Sequence, residues 1–300
     1  MISAWNAAFE RRSLLLGGAA LALVGCGRKE SGKTAPPASS QAAAGTLQWA
    51  VDGGWRTAAD KARDRWRHPL ESLGFWGLMP GMTVVEFWPG AGWYSDILAP
   101  FLTATHGALY AANLEAAGPA DAAARAVIDA YRRKLAGRPD LYGAVKVTAF
   151  GPTSGPVAPA GSADMVLFLR NLHNWMARGM AEKAFHDAIA ALKPGGVLGI
   201  EEHRGRPGAV QDVIAASGYV QESYARQLAK EVGFVFAGSS EINANPKDNR
   251  ELPFGVWTLP PERRSSPRGQ PANPLFNHGK YDAIGESDRM TLKFVKPRRS

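Results

Sequence analysis

From residue 47 onward the chain predicts an α/β fold whose mostly parallel sheet is covered by helices on both faces. Three features carry that reading. Short apolar runs bounded by turn residues alternate with helical patterns. A glycine-bearing turn, Pro89-Gly90-Ala91-Gly92, joins a strand pattern to a helix pattern. Two separate apolar runs close the chain, with a Pro/Arg/Ser-rich stretch between them.

In order, a helix is expected over 59–73, with Trp66, Leu70 and Leu73 at helical spacing. Met79-Pro80-Gly81 breaks the chain before a first strand at 83–87. A helix at 94–102, a strand at 108–112, a helix at 121–135 and a short strand at 145–148 follow. A buried strand is expected at 164–169, a helix at 177–192, and a strand at 197–201 after the Lys193-Pro194-Gly195-Gly196 turn. One further helix covers 213–232, with Gly218 near its start, and strands at 235–239 and 290–295 end the pattern. No internal repeat is present.

The formal charge of +8 first suggests a polyanion partner. Residues 1–45 carry five Lys/Arg against two Asp/Glu, and residues 262–300 carry nine against four, which leaves 21 of each sign between them. The excess sits at the two ends, so no nucleic-acid partner is expected of the fold itself. Cys26 is the single cysteine, which rules out a disulfide framework or a CxxC metal site within one chain.

The first 26 residues are expected to be an export signal. Arg11-Arg12 precede an apolar run from Leu14 to Val24, long enough for a signal-peptide core and short of the roughly 20 residues that span a bilayer. Leu23-Val24-Gly25-Cys26 resembles a bacterial lipobox, so Cys26 is the expected lipidation site. The twin arginines with Ser13-Leu14-Leu15 resemble a twin-arginine export signal, although Glu10 stands where a serine is usual. Residues 27–46 make a polar Pro/Ser/Ala linker, and 47–297 the globular domain. The expected location is extracytoplasmic, in the periplasm or envelope, held by a lipid anchor.

Glycines in the segment Thr83-Val84-Val85-Glu86-Phe87-Trp88-Pro89-Gly90-Ala91-Gly92-Trp93-Tyr94-Ser95 let backbone approach a ligand closely, and the helix start offers free N–H groups. Downstream come Gly107-Ala108-Leu109-Tyr110-Ala111-Ala112-Asn113, Asp164-Met165-Val166-Leu167 and Leu192-Lys193-Pro194-Gly195-Gly196. Asn245-Pro246-Lys247-Asp248 and Ser287-Asp288-Arg289, followed by Lys293-Phe294-Val295-Lys296-Pro297, complete the series. In this order the segments resemble the class I S-adenosylmethionine-dependent methyltransferases, in particular a family of predicted methyltransferases with a PGxGWY turn. The resemblance covers most of 47–297. It implies a Rossmann-like methyltransferase fold, a seven-stranded, mostly parallel sheet with a C-terminal antiparallel pair. It also implies S-adenosylmethionine as cofactor, held by Glu86, Gly90, Gly92, Asn113 and Asn171. Two positions depart from the pattern: Trp88 stands where a glycine is usual, and Asn113 where an acid normally holds the ribose hydroxyls. Glu115, two residues on, substitutes for that acid only if its turn bends to present it.

Methyl transfer needs alignment first and base catalysis second. Asn171-Leu172-His173-Asn174-Trp175 follows the fourth strand, at the edge where this fold opens its site. His173 is the candidate general base, with Asn174 or Asn171 to position the acceptor; the alternative is a surface-loop histidine. Glu201-Glu202-His203-Arg204 ends the next strand. His203 and Arg204 are expected on the substrate side, Arg204 being suited to a carboxylate or phosphate. No metal is expected, since no second His or Asp lies at ligand spacing. Trp93 and Tyr94 flank the glycine turn, and Tyr94 is a candidate substrate contact; core packing explains the pair equally well. His68, His106, His186 and His278 are read as structural.

The chain is therefore expected to be an exported methyltransferase acting on a small-molecule substrate. A non-catalytic ligand-binding protein that keeps the fold is the alternative. A nicotinamide-dependent enzyme is disfavoured, because Gly90-Ala91-Gly92-Trp93 lacks the third glycine of that fingerprint.

Overall fold

The computed structural model describes residues 42–116 and 121–298. Arg11-Arg12, the apolar run and Cys26 lie outside the described residues. The entry segment holds α1 (Leu47–Val51), α2 (Ala58–Lys61), α3 (Asp64–Arg67) and α4 (Pro69–Trp76). The wound core follows with β1 (Thr83–Phe87), α5 (Ser95–Ala104), β2 (Ala108–Leu114), α6 (Ala122–Gly137), α7 (Pro139–Tyr142) and β3 (Val145–Phe150). Next come β4 (Ala163–Leu169), α8 (Leu172–Met176), α9 (Ala181–Ala191), β5 (Leu192–His203), α10 (Glu222–Val232) and β6 (Val235–Ser240). Last are β7 (Pro253–Val256), α11 (Gly279–Asp282) and β8 (Arg289–Val295).

Seven strands form one sheet in the order β3-β2-β1-β4-β5-β8-β6. The first five pair in parallel, and β8 runs antiparallel to both β5 and β6. The order reverses between β1 and β4, and it is there, at strand C-termini, that open α/β sheets present their crevice. Side chains alternate across the sheet with a period of two. Val84, Leu109, Met165 and Leu167 pack under α1, α4, α5 and α7 on one face. Val85, Phe87, Val166, Phe168, Leu198 and Ile200 pack under α8, α9 and α10 on the other. Each fully buried Phe, Leu or Ile contributes about 1.5–3 kcal/mol.

The strand pattern of the sequence matches the sheet closely, whereas three helices differ. The helix expected at 59–73 is broken in three. Pro69 starts α4 and disfavours helical backbone before it, so His68 takes a left-handed φ of 39°. The helix expected at 213–232 begins only at Glu222. Gly218 has φ 80° and lies so close to the Val256 side chain that a Cβ there would come within 2.4 Å of it, which fixes a turn. Residues 172–176, to which no element is assigned from the sequence, wind into α8, and Gly179 at φ 66° separates α8 from α9. None of the described helices is long and apolar enough to cross a membrane.

Candidate functional site

The glycine turn leaves β1 at Phe87 and enters α5 at Ser95. Trp88 takes a φ of 47°, the left-handed backbone that glycine adopts without penalty. Its indole is turned onto the α8 side of the sheet, against Phe150 and Trp175, with its N–H donating to the Phe150 carbonyl at 2.8 Å. The turn is thus shaped without the usual glycine, and the ring lies away from α5. Gly90 has φ 59°, and a Cβ there would meet no protein atom within 4 Å. Gly92 is closed in: a Cβ would lie 3.1 Å from the Tyr131 ring and 3.3 Å from Lys134 Nζ. Lys134 of α6 pins the turn by donating to the Ala91 carbonyl and pairing with Asp96.

Glu86 lies beneath this turn, 2% exposed. It accepts a 2.6 Å bond from Ser95 Oγ, which in turn accepts one from Tyr131. Burial raises its pKa to about 7, the Ser95 bond only partly opposing that. Asn113 is the penultimate residue of β2, in register one residue beyond the Phe87–Ala112 pair. It is buried, its Oδ1 accepts from the Leu114 N–H, and its Nδ2 has no partner. Asn113 also borders a cleft of about 500 Å³ between β2, β3 and α6. Glu115 lines the same cleft, but its carboxylate is held by Thr153 Oγ1 and N–H, which keep its pKa below the usual range.

Across the reversal, Asn171 donates its amide N–H groups to the carbonyls of Phe87, Trp88 and Leu169 at 3.1–3.4 Å. It ties the end of β4 to the end of β1, and those bonds take up the amide nitrogen expected to reach a ligand. Asn174 donates to Asn171 Oδ1 at 3.4 Å and so extends the same tie.

His173 is not a surface-loop residue: it is 4% exposed, in the first turn of α8. Its Nδ1 lies 2.9 Å from Glu202 Oε1, and its backbone N–H donates to Glu202 Oε2 at 3.3 Å. Burial opposes ionisation of Glu202, but His173 and the His203 backbone N–H outweigh that and hold its pKa below normal. A carboxylate only accepts, so Nδ1 donates in this contact, and Nε2 is the nitrogen left for another partner. His203 sits alongside, ring centroids 5.1 Å apart, with Nδ1 2.5 Å from Ser287 Oγ. Burial keeps it neutral, its pKa pushed down to about 3.

Tyr94 and Arg204 are engaged elsewhere. The buried Tyr94 hydroxyl donates to Glu201 at 3.0 Å, and the Arg56 and Arg67 guanidinium groups both pack on the Trp93 ring, so packing accounts for both rings. Arg204 is spent on bidentate pairs with Asp288 and Glu241, and it lines a separate, larger cleft beside α10 and β6. The expectation that Glu202 and His203 lack a further ligand-type neighbour is also corrected, because β4 brings His173 to them. Sequence spacing hides this, since the two segments end neighbouring strands 29 residues apart. Sequence spacing likewise hides the part played by Arg170 and Arg289. Both reach the buried Glu201, and Glu286 joins Arg289 to Arg63 and Arg67 of the entry segment.

No protein-family model matches the chain, and no curated protein sequence does either. Solved structures do resemble it. The [4+2]-cyclase SpnF aligns over 82% of this chain and 83% of its own, at 14% identity and a TM-score of 0.50. A SAM-dependent methyltransferase from Aquifex aeolicus aligns over 61% and 87%, at 17% identity and a TM-score of 0.48. Phosphoethanolamine N-methyltransferase 2 of Haemonchus contortus, solved with S-adenosyl-L-methionine, aligns over 78% and 53%, at 14% identity and a TM-score of 0.47. The strand order, with its reversed β8, is that of the Rossmann-like methyltransferase fold. A cyclase shares that architecture, so the fold alone does not fix the reaction.

Proposed function

We propose that this domain is an S-adenosylmethionine-dependent methyltransferase acting on a small-molecule acceptor. The observation that carries it is the unpartnered, buried Asn113 amide nitrogen beside the open Gly90 turn. A buried donor with no acceptor costs about 1–3 kcal/mol, and a ribose hydroxyl would relieve it. Gly90 offers backbone and space, and Glu86, ionisable near neutral pH, favours a cationic ligand. Those residues would hold the cofactor, which supplies an electrophilic methyl group. On the acceptor side, His173 Nε2 takes the acceptor's proton, and Glu202 orients the imidazole and stabilises the imidazolium that forms. Asn171 and Asn174 act indirectly, by holding α8 to the glycine turn.

Production of S-adenosylhomocysteine with a panel of small acceptors tests this. His173→Ala should lower turnover about 10²–10⁴-fold with cofactor affinity little changed. Equal rates would remove His173 from the chemistry. Cofactor binding without turnover on any acceptor would favour the non-catalytic alternative.

We further propose that the protein is exported and lipid-anchored through Cys26. Arg11-Arg12, the short apolar run and the Leu23–Cys26 segment support this. Acyl chains supply about 0.8 kcal/mol per buried CH₂, so several together anchor stably. Twin-arginine export would carry a folded domain with its cofactor already bound.

A further inference from the structure

We propose that His173, Glu202 and His203 form a binding site for a divalent first-row transition metal. One nitrogen from each imidazole and one Glu202 oxygen lie within 4.8 Å of one another. His173 Nδ1 is 2.9 Å and His203 Nε2 4.0 Å from Glu202 Oε1. A metal about 2.0–2.2 Å from each ligand needs ligand–ligand edges of roughly 3.0–3.5 Å. The first distance is already close to that range, the second must close by roughly 0.5–1 Å, and the edge between the two imidazole nitrogens, no longer than 4.8 Å, by at most roughly 1.8 Å.

The surroundings are arranged as metal sites require. The hydrogen bond between Ser287 Oγ and His203 Nδ1 engages that nitrogen and leaves Nε2, 4.0 Å from Glu202, as the ligating one; such outer partners orient a ligand. His173 presents Nδ1 in the tautomer that carries its ring proton on Nε2. Glu202 is pinned by the backbone N–H groups of His173 and His203, so its carboxylate does not have to be ordered on binding. The neighbouring cations, Arg170 and Arg289, are both paired with Glu201. Two imidazoles and one carboxylate suit Zn²⁺, Co²⁺ or Fe²⁺ over Mg²⁺ or Ca²⁺, and three protein ligands leave coordination positions open. The ligand set ends β5 and begins α8, at the C-terminal edge of the sheet. Metal binding rests on this geometry and not on methyl transfer; if both hold, the metal takes over acceptor activation from the free imidazole.

The test is Co²⁺ titration of the full-length protein, purified without an affinity tag and stripped with chelator, in the absence of S-adenosylmethionine. One equivalent should bind, with visible ligand-field bands that Zn²⁺ abolishes. His203→Ala and Glu202→Gln, checked for folding by circular dichroism, should each weaken binding at least tenfold. Cobalt-edge X-ray absorption of the unmutated protein should show two imidazole ligands, a readout that does not depend on any variant folding. Absence of saturable binding, fewer than two imidazoles, or equal affinity in a folded His203→Ala protein would overturn the assignment. None of these outcomes bears on whether the cofactor binds.

Discussion

Glu86 shows how burial sets chemistry at a single residue. Its folded pKa of about 7 lies above the ordinary 4.5, so between these values the native state holds a proton that the unfolded chain has released. Stability therefore falls as pH rises through that window and levels off above it, by up to about 3 kcal/mol from this group. Glu86→Gln should remove that part of the slope. Chemical denaturation of both proteins at pH 5 and pH 8 measures it, and parallel profiles would show that Glu86 is ionised in the native state throughout. A cationic ligand over the same carboxylate favours its ionised form, so cofactor binding near pH 6 should release a proton from Glu86. Titration calorimetry in buffers of differing ionisation enthalpy reads that proton directly.

At the scale of elements, the glycine turn separates two substitutions that look equivalent in sequence. Gly90→Val projects its side chain into open space, at a left-handed backbone cost of about 1–2 kcal/mol. It should leave the protein folded and remove cofactor-induced thermal stabilisation. Gly92→Val carries a similar backbone cost and also presses on Tyr131 and Lys134, so it should lower the melting temperature without any ligand. Thermal melts of the two variants, with and without S-adenosylmethionine, distinguish these effects. The strands were legible because their apolar runs are bounded by turn residues, and β1 has the expected limits. The helices were less so, because a 3.6-residue periodicity runs through breaks made by single residues, Pro69 in one case and Gly179 in another. The site was half legible. Each half ends its own strand and could be read alone, but the contact between His173 and Glu202 exists only because β4 and β5 are neighbours. The partners that occupy Tyr94 and Arg204 are Glu201 of β5, Asp288 just before β8 and Glu241 just after β6, too distant in sequence for spacing to show.

Across the whole molecule, a buried ionic network joins the entry segment to the closing strand. Glu286 receives Arg63, Arg67 and Arg289, and Arg289 continues to Glu201. Removing one partner of a buried pair costs about 3–5 kcal/mol, because the charge left behind has no water to turn to. Glu286→Gln should therefore destabilise the domain on that scale, as seen by denaturant midpoint. A change below about 1 kcal/mol would mean that the network is solvated. At the other end of the chain, Cys26→Ser should release the protein from membranes on fractionation. Finding unmodified full-length chain in the cytoplasm would overturn the anchor and return the domain to the compartment where S-adenosylmethionine is made. The central claim is that the glycine turn and Asn113 hold that cofactor. Calorimetric titration of the full-length protein with S-adenosylmethionine and S-adenosylhomocysteine tests it most directly. One equivalent of each should bind, and Gly90→Val should abolish the heat while remaining folded. A folded wild-type protein that binds neither ligand would contradict it.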